Sequence, residues 1–253
     1  MVKNKTRIKQ ITIPLITLVI LLGSWELADA IFNFNKIIMP TPTEIGGAFI
    51  GNWETLLTNT GITLMESVLG FLLGSFVAFI LAVCFVYSET IRFAIYPYAV
   101  AIKSTPLIAI APLLVIWFGN GLLSKIVMAA LVAFFPVLVN AVDGLVSIDK
   151  EALDLMKSLN ASQIQIFKKI RFPSSLPLVF SSLKIASTLA VVGAVIGEFT
   201  GASKGIGYLI NTSSYYLDTD VMFAGIILIS LGGILFFGLV AFLEKKIIFW
   251  KNQ

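Results

Sequence analysis

Six long runs of apolar residues constrain this chain more than any other feature of its sequence. Each run can supply the ~20 helical residues that cross the hydrocarbon core of a bilayer. We therefore predict an all-α, multi-spanning membrane protein with about six transmembrane helices. The predicted spans are Ile11–Phe32, Gly61–Val86, Phe93–Phe118, Leu122–Val142, Val179–Thr200 and Val221–Leu243. Pro97, Pro106 and Pro112 interrupt the third run, so that span is expected to be kinked or split.

The composition excludes several other classes of protein. Of the 253 residues, 58% are hydrophobic and 13% are charged, whereas soluble domains carry about 45–50% apolar and about 25% charged residues. The single cysteine, Cys84, cannot form an intramolecular disulfide, and the chain has no histidine for acid–base chemistry or metal ligation. We expect one transmembrane domain over residues 1–253, with no metal site. Residues 1–58 would hold the first span and an external loop, residues 59–245 the core, and residues 146–177 a cytoplasmic loop.

The distribution of lysine and arginine predicts the orientation of the chain. Cytoplasmic loops of membrane proteins carry the excess of basic residues. With the N-terminus inside, thirteen basic residues are cytoplasmic and three, Lys36, Lys125 and Lys204, are external. Lys103 and Lys184 fall within spans. Both termini are therefore predicted to be cytoplasmic, and the net charge of +4 is a signal of topology rather than of a nucleic-acid partner.

The N-terminus permits one alternative. Basic residues 1–9, an apolar stretch from Ile11 to Trp25, and Ala28-Asp29-Ala30 also have the pattern of a cleavable signal peptide. Its removal would leave five spans. The apolar run continues past Glu26 to Phe32, which favours a retained first span.

Small residues recur every four positions in two of the spans. One series is Gly70, Gly74, Ala78 and Ala82, and the other is Gly193, Gly197 and Gly201. Small residues let helices approach closely in lipid. These series indicate either tight packing inside a bundle or an interface that slides during transport.

A charged segment, residues 149–173, lies between two apolar runs. It begins with Asp149-Lys150-Glu151, ends with Lys168-Lys169-Ile170-Arg171-Phe172-Pro173, and has the pattern of one or two short amphipathic helices closed by Pro173 and Pro177. A loop of this kind between two spans indicates a docking surface for a cytoplasmic partner. The chain lacks a phosphate-binding loop and the common hydrolase motifs. We therefore expect no enzyme activity, and any uphill transport would draw on an ion gradient or on a partner.

This charged segment resembles the "EAA" loop of the membrane (permease) subunits of ATP-binding-cassette (ABC) importers. The resemblance rests on Glu151-Ala152-Leu153 at the start and Ile170-Arg171-Phe172-Pro173 at the end. Leu153 stands where the family has a second alanine, and Asn160 stands where it has a glycine. Asparagine tolerates a left-handed backbone better than other non-glycine residues, so a turn between two short helices is still expected there.

Further blocks are similar to the nitrate, sulfonate and taurine branch of these permeases. They comprise Ser104 to Gly119, Phe134 to Asn140, and Gly193 to Phe199. The last block, followed by Lys204-Gly205-Ile206-Gly207-Tyr208, is also similar to permeases for thiamine-precursor pyrimidines and riboflavin.

The resemblance implies a complete transport system. Two permease copies, as a homodimer, would form the pathway in the plasma (inner) membrane of a prokaryote, and an extracytoplasmic solute-binding protein would deliver the cargo. Two ABC ATPase subunits would dock on the loop, and ATP and Mg would bind to those subunits, with no cofactor on this chain. Glu151 would offer a charge-assisted bond to a basic partner, or would favour the start of its helix through the dipole. The coupling residues would be Glu151, Ala152, Leu155, Leu159, Asn160, Ala161, Phe167 and Pro173, with Ile164 on the same apolar face.

Ionisable residues inside spans are costly and are therefore functional candidates. Lys103 is expected near the middle of the third span, where it would meet an anionic or polar substrate or form an internal ion pair. Glu198 is expected near the outer end of the fifth span, in a structural or gating bond, and Glu66 in the outer part of the second. The candidate pathway or gating residues are Lys103, Trp117, Asn140 and Glu198.

Two questions of function remain open at this stage. An ion-coupled secondary transporter or a membrane enzyme would also have several spans, although neither needs a charged docking helix. The cargo is either a pyrimidine- or flavin-like vitamin precursor, which the blocks around Glu198 and Tyr208 favour, or a sulfonate, taurine or nitrate, which a single lysine at depth would suit.

Overall fold

Helices account for the regular secondary structure of the part of the chain that the structure describes. This computed structural model describes the backbone of residues 2–252 and the side chains of residues 12–102 and 104–250. The helices are α1 (Val2–Phe32), α2 (Pro42–Gly51), α3 (Trp53–Tyr87), α4 (Glu89–Ser104), α5 (Leu107–Phe118), α6 (Leu122–Val146), α7 (Lys150–Ser158), α8 (Gln163–Ile166), α9 (Phe172–Phe199), α10 (Ile206–Tyr216) and α11 (Thr219–Ile247). A π-helical segment, Phe167–Arg171, joins α8 to α9, and a 3-10 turn, Phe249–Asn252, follows α11. The predicted all-α membrane fold is confirmed.

Within the described part of the chain, five helical stretches are long and apolar enough to cross a membrane alone, and a bent pair makes a sixth candidate. The five are Thr12–Phe32, Trp53–Tyr87, Leu122–Val146, Gln163–Phe199 and Thr219–Ile247. The pair is α4 with α5, which meet at an angle of 103°.

The bend between α4 and α5 follows from a proline. Thr105 has φ −77° and ψ 131°, an extended conformation that the residue before a proline prefers. Pro106 follows it and has no backbone N–H with which to continue the helix. Of the outcomes expected for the third predicted span, the structure shows the split.

The loop between α6 and α9 is shorter than the sequence suggests. The fifth span was expected to begin at Val179, but the helix runs unbroken from Gln163 to Phe199. Pro173 follows the π-helical segment directly, and both Pro173 and Pro177 lie inside this continuous helix, which local π-helical adjustment and neighbouring helices allow in a membrane span. Neither proline closes the charged segment.

Residues 147–171 are called the loop segment below, and the end of the bundle that carries them is called the loop end.

Helices α3, α6 and α9 form the centre of the bundle and contact one another along the small residues. Gly70 lies against Ala129, and Gly74 lies against the backbone of Ala130, so closely that a Cβ at either glycine would overlap. A Cβ at Gly193 would come within 2.8 Å of the Cα of Ala129 from the α9 side. Gly70, Gly74 and Gly193 are thus points of close helix contact, as the packing interpretation predicts, whereas Gly201 lies beyond the end of α9 with a φ of +73°.

The opposite end of the bundle, called the far end, is fastened by contacts between loops. Thr43 Oγ1 donates to Glu26 Oε1 at 2.7 Å, Lys36 forms an ion pair with Glu44, and Thr219 Oγ1 donates to the carbonyl of Lys36 at 3.0 Å. The bond from Lys36 lowers the pKa of the Glu44 carboxyl. These contacts hold the α1–α2 connection against the start of α11.

The structure corrects the position of Lys125. From its place at the start of an apolar run it was expected in an external loop, but it lies in the first turn of α6 and is 2% exposed. Its Nζ donates to the carbonyl of Asn120 at 2.7 Å. Lys125 remains at the far end, where it lines a pocket together with Lys204.

Candidate functional site

The loop segment begins with a capped amphipathic helix. The side chain of Asp149 accepts a hydrogen bond from the amide of Glu151 at 3.0 Å, which satisfies one of the free amides at the start of α7. Glu151 occupies the first turn and Lys157 the last turn of α7, so both charges favour the helix dipole. The described side chains of α7 include no buried one, and the helix lies on the surface of the protein.

The turn after α7 depends on the backbone of Asn160. Its φ is +54°, in the left-handed region that asparagine tolerates. The amide of Asn160 donates to Lys157 O at 2.9 Å, and the amide of Ala161 donates to Met156 O at 3.0 Å. These bonds close the C-terminus of α7. The left-handed turn predicted at this position is confirmed.

A second short helix links the turn to the bundle. Ser162 Oγ accepts from the amide of Gln165 at 3.3 Å, and the Gln165 side chain accepts from the amide of Ser162 at 2.8 Å, so both groups of a capping box are present. Ile166, the last residue of α8, is 2% exposed. The loop segment is therefore anchored in the bundle from Ile166 onward.

The expected coupling residues divide into two groups. Leu155, Leu159 and Ile164 are 61%, 69% and 67% exposed, and Glu151 and Asn160 are also exposed. Ala152, Ala161 and Pro173 are half-buried. Glu151, Leu155 and Leu159 are four residues apart along α7 and its C-cap, so they lie on one side of that helix, and Ile164 is exposed on α8. Exposed apolar side chains of this kind suit contact with another protein.

Phe167 lies apart from this exposed surface. Its ring is 6.4 Å from that of Tyr87 and 6.0 Å from that of Phe172. It packs against the core of the bundle. Phe167 is half-buried and belongs to the joint between the loop segment and the spans.

A cavity of ≈ 440 Å³ lies between α4, α5, α6 and α9. The described residues that line it are apolar or aromatic apart from Asn140 and include Ile102, Phe134, Phe135 and Leu189. Asn140 Nδ2 donates to the carbonyl of Pro136 at 2.9 Å, which leaves its Oδ1 and its second N–H for other partners. The cavity offers an apolar volume with one amide.

Trp117, another expected pathway residue, is not among the described residues that line this cavity. Trp117, in α5, is 67% exposed. Lys103 belongs to the last turns of α4, and its side chain lies outside the described residues. Because α4 ends at Ser104, Lys103 is at a helix end rather than in the middle of a continuous span.

Glu198 lies at the far end and binds the start of α10. It is 1% exposed; Thr63 Oγ1 donates to its Oε1 at 2.6 Å, and the amide of Gly207 donates to its Oε2 at 2.5 Å. Thr63 Oγ1 also accepts from the amide of Ile206 at 2.7 Å, and Asn59 Oδ1 accepts from the amide of Gly205 at 2.8 Å. Glu198 therefore fastens α9 and α3 to the first turn of α10, which fits a structural or gating bond.

The sequence identified Glu198 and Glu66 but missed the partners around them. Asn59 and Thr63 lie one turn apart on α3 and both bind the loop before α10. Their spacing in an otherwise apolar span was an available signal, because residues four apart share a helix face. Glu66 and Lys125 are also buried beside this cluster and line a pocket of ≈ 190 Å³. Among the described residues, no group of three or more His, Cys, Asp or Glu is placed to hold a metal.

Comparison with known families decides the class of protein. Residues 70–249 match the family described as binding-protein-dependent transport system inner membrane component. The chain belongs to this family. It is therefore a multi-pass permease of the inner membrane that carries no ATP site of its own, and an ATPase and a binding protein are its partners. This assignment decides against the secondary transporter and the membrane enzyme.

Several curated relatives are similar over nearly their whole length. A probable ABC transporter permease of Haemophilus influenzae is 37% identical over 92% of this chain and 96% of its own. The formylaminopyrimidine transport permease ThiX of Halalkalibacterium halodurans is 33% identical over 95% of this chain and 96% of its own. The putative aliphatic sulfonates transport permease SsuC of Bacillus subtilis is 29% identical over 92% of this chain and 86% of its own.

A solved structure shares the fold. An inward-facing form of the MetNI methionine ABC transporter matches 78% of this chain and 95% of the compared chain, with a TM-score of 0.65 and 16% sequence identity. The arrangement of helices is therefore that of an ABC importer permease.

Proposed function

We propose that two copies of this chain form the pathway of an importer for a pyrimidine- or flavin-like vitamin precursor. Two ATPase subunits dock on the loop segment and bind the ATP and Mg, while this chain binds no cofactor. The membrane is the plasma membrane of a prokaryote, both termini are cytoplasmic, and a binding protein delivers the cargo from the other side.

The exposed surface of the loop segment carries the docking proposal. Leu155, Leu159 and Ile164 present apolar area, and apolar area removed from water is the main favourable term in protein association. Glu151 stands at the edge of this surface and adds a charge-assisted hydrogen bond when it meets a basic group.

The docking role is tested by reversing one charge. Glu151→Lys should insert normally but retain at least tenfold less ATPase on co-purification, because charge-assisted bonds contribute roughly 1.5–3 kcal/mol. Glu89→Lys is the matched control: Glu89 is also exposed, in the first turn of a capped helix at the loop end. Both variants lose the same interaction with the helix dipole, about 0.3–1 kcal/mol. A difference in ATPase recovery between them therefore reports the contact that Glu151 makes with the partner. Equal ATPase recovery with the two variants would contradict the role of Glu151.

The orientation is tested by thiol labelling. In a Cys84→Ala background, Ser158→Cys in α7 should react with an impermeant reagent only from the cytoplasmic side. Ser203→Cys, in the loop before α10, should react only from outside. Labelling of both cysteines from the same side would contradict the topology.

The lining of the cavity supports the choice of cargo. A sulfonate is permanently charged, and a charged group moved into an apolar site without partners loses several kcal/mol of solvation. A flat heteroaromatic ring needs apolar walls and one or two hydrogen bonds. Phe134 and Phe135 supply aromatic walls, and Asn140 offers one acceptor and one donor.

The cargo is tested on the binding protein and on the cavity. The cognate binding protein should show a thermal shift with an aminopyrimidine or riboflavin and none with an alkyl sulfonate or taurine. Asn140→Leu keeps a similar volume, removes the amide and should lower uptake of the pyrimidine while the ATPase remains bound. A thermal shift with sulfonates alone would replace the proposed cargo and leave the permease assignment intact.

A further inference from the structure

The loop segment is joined to the bundle mainly at its C-terminal end. Helix α7 has no buried side chain, whereas Ile166 and the π-helical segment that follows it pack on the spans. A π-helical turn is uncommon and often marks a functional position. The exposed helix is therefore connected to the spans through this joint and through the chain at either end.

Arg171, the last residue of the π-helical segment, binds the end of α6. Its Nη1 donates to the carbonyl of Leu145 at 2.8 Å. Leu145 is fully buried and lies in the last turn of α6. The carbonyls of this turn have no amide of their own helix from which to accept a hydrogen bond. The positive charge also meets the negative end of the helix dipole. The hydrogen bond therefore holds α6 to the segment that leads into α9.

The same guanidinium contacts the end of α3. Its central carbon lies 5.8 Å from the centre of the Tyr87 ring, within the range of a cation–π interaction. Tyr87 is the last residue of α3, and Phe167 approaches the same ring. Arg171 and Phe167 thus join the π-helical segment to α3 as well as to α6.

We propose that Arg171 is a positioning residue that makes the loop segment and the ends of α3, α6 and α9 move as one body. This proposal rests on the docking of the ATPase to the loop segment. A docked ATPase displaces the exposed face of α7 and α8, and the guanidinium passes that displacement to α3 and α6. The peptide chain alone would not pass it to α3, because α3 ends at Tyr87 and is not adjacent to the loop segment in sequence. Lysine cannot replace this function fully, because it lacks the planar group that both stacks and donates in a fixed direction.

The bundle itself does not depend on Arg171. Gly144 of α6 packs directly on Ser175 of α9, where a Cβ would stand 3.1 Å from the Ser175 backbone. The contact between α3 and α6 at Gly70 and Gly74 is equally independent of the loop end. Variants at position 171 are therefore expected to fold and to keep the exposed docking surface.

The experiment compares hydrogen exchange in the complex of the full permease with its ATPase in nanodiscs, with and without a non-hydrolysable ATP analogue. The variants are Arg171→Gln, Arg171→Lys and, as the matched control, Lys169→Gln, which removes an exposed charge from the same segment. In the unmodified complex the analogue should change exchange both in residues 150–166 and in the last turns of α3 and α6. Arg171→Gln should confine that change to residues 150–166 and raise basal exchange in residues 142–147 about tenfold, from the loss of one charge-assisted bond.

Each outcome decides a different claim. Arg171→Lys should show an intermediate effect, and Lys169→Gln should behave as the unmodified chain. If Arg171→Gln transmits the nucleotide response to α3 and α6 unchanged, the positioning role is wrong and the docking role stands. If addition of the ATPase leaves exchange in residues 150–166 as it is in the permease alone, the docking role is wrong and the proposal for Arg171 falls with it; if the ATPase protects these residues but the analogue changes nothing in α3 and α6, only the proposal for Arg171 is wrong.

Discussion

Replacement of Asn160 by valine should weaken ATPase binding through backbone conformation alone. Asn160 has a φ of +54°, and a left-handed backbone costs an ordinary L-residue roughly 1–2 kcal/mol. The turn must form for α7 and α8 to present their apolar residues together, so this cost is subtracted from the free energy of docking. One to two kcal/mol corresponds to about 5–30-fold in an equilibrium constant. Titration of the ATPase onto the permease in nanodiscs should show a dissociation constant raised by that factor.

Asn160→Gly is the control for this prediction. Glycine adopts positive φ without steric cost, so this variant loses the same side chain and keeps the turn. It should bind the ATPase as the unmodified chain does. If valine and glycine weaken binding equally, the Asn160 side chain itself contacts the partner, and the conformational reasoning is refuted.

Three further predictions concern stability. Gly74→Ala should lower the free energy of unfolding by about 1–3 kcal/mol relative to the control variant Gly238→Ala. A Cβ at Gly74 would meet the Ala130 backbone, whereas a Cβ at Gly238 would meet nothing within 4 Å. Equal thermal unfolding of the two variants would contradict the packing of α3 on α6. Glu198→Leu should destabilise the protein by roughly 1–3 kcal/mol, since it leaves the buried Gly207 amide without its acceptor and removes the hydrogen bond from Thr63, and unchanged proteolysis of the loop before α10 would refute this. The hydrogen bond from Lys36 holds the pKa of Glu44 below its ordinary value of 4.5. The contact between Glu44 and Lys36 therefore stabilises the α1–α2 connection at neutral pH and is lost only as the pH falls through that lowered pKa. Loss of amide protection in residues 41–44 already above pH 4.5 would show that the ion pair is not formed.

Features with a local cause could be predicted from the sequence. The spans follow from apolar length, and the break before α5 follows from Pro106. The left-handed turn at Asn160 follows from the few residue types that tolerate it. Each of these depends on a short stretch of chain. The position of the turn was predicted at Asn160, whereas three prolines, Pro97, Pro106 and Pro112, were candidates for the break.

Features that depend on distant contacts could not be predicted in the same way. Phe167 was expected on the exposed face because its spacing fits an amphipathic helix, but the π-helical segment turns it toward Tyr87. Lys125 was expected in a loop because it begins an apolar run, yet the Asn120 carbonyl allows it to be buried. The start of the helix at Gln163 was missed because Pro173 and Pro177 have the pattern of a helix boundary. In each case the observed structure depends on a contact with another part of the chain or on the hydrogen-bond register of the helix, which the local sequence does not show.

Site-specific photocrosslinking tests the central claim most directly. A photoreactive residue at position 155 or 164 stands on the exposed face of the loop segment, and one at position 215, where Tyr215 is 83% exposed, stands at the opposite end of the bundle. In cells that express the whole transporter, positions 155 and 164 should crosslink the ATPase and position 215 should not. ATPase captured at position 215, or a stable complex without crosslinks at positions 155 and 164, would contradict docking on the loop segment.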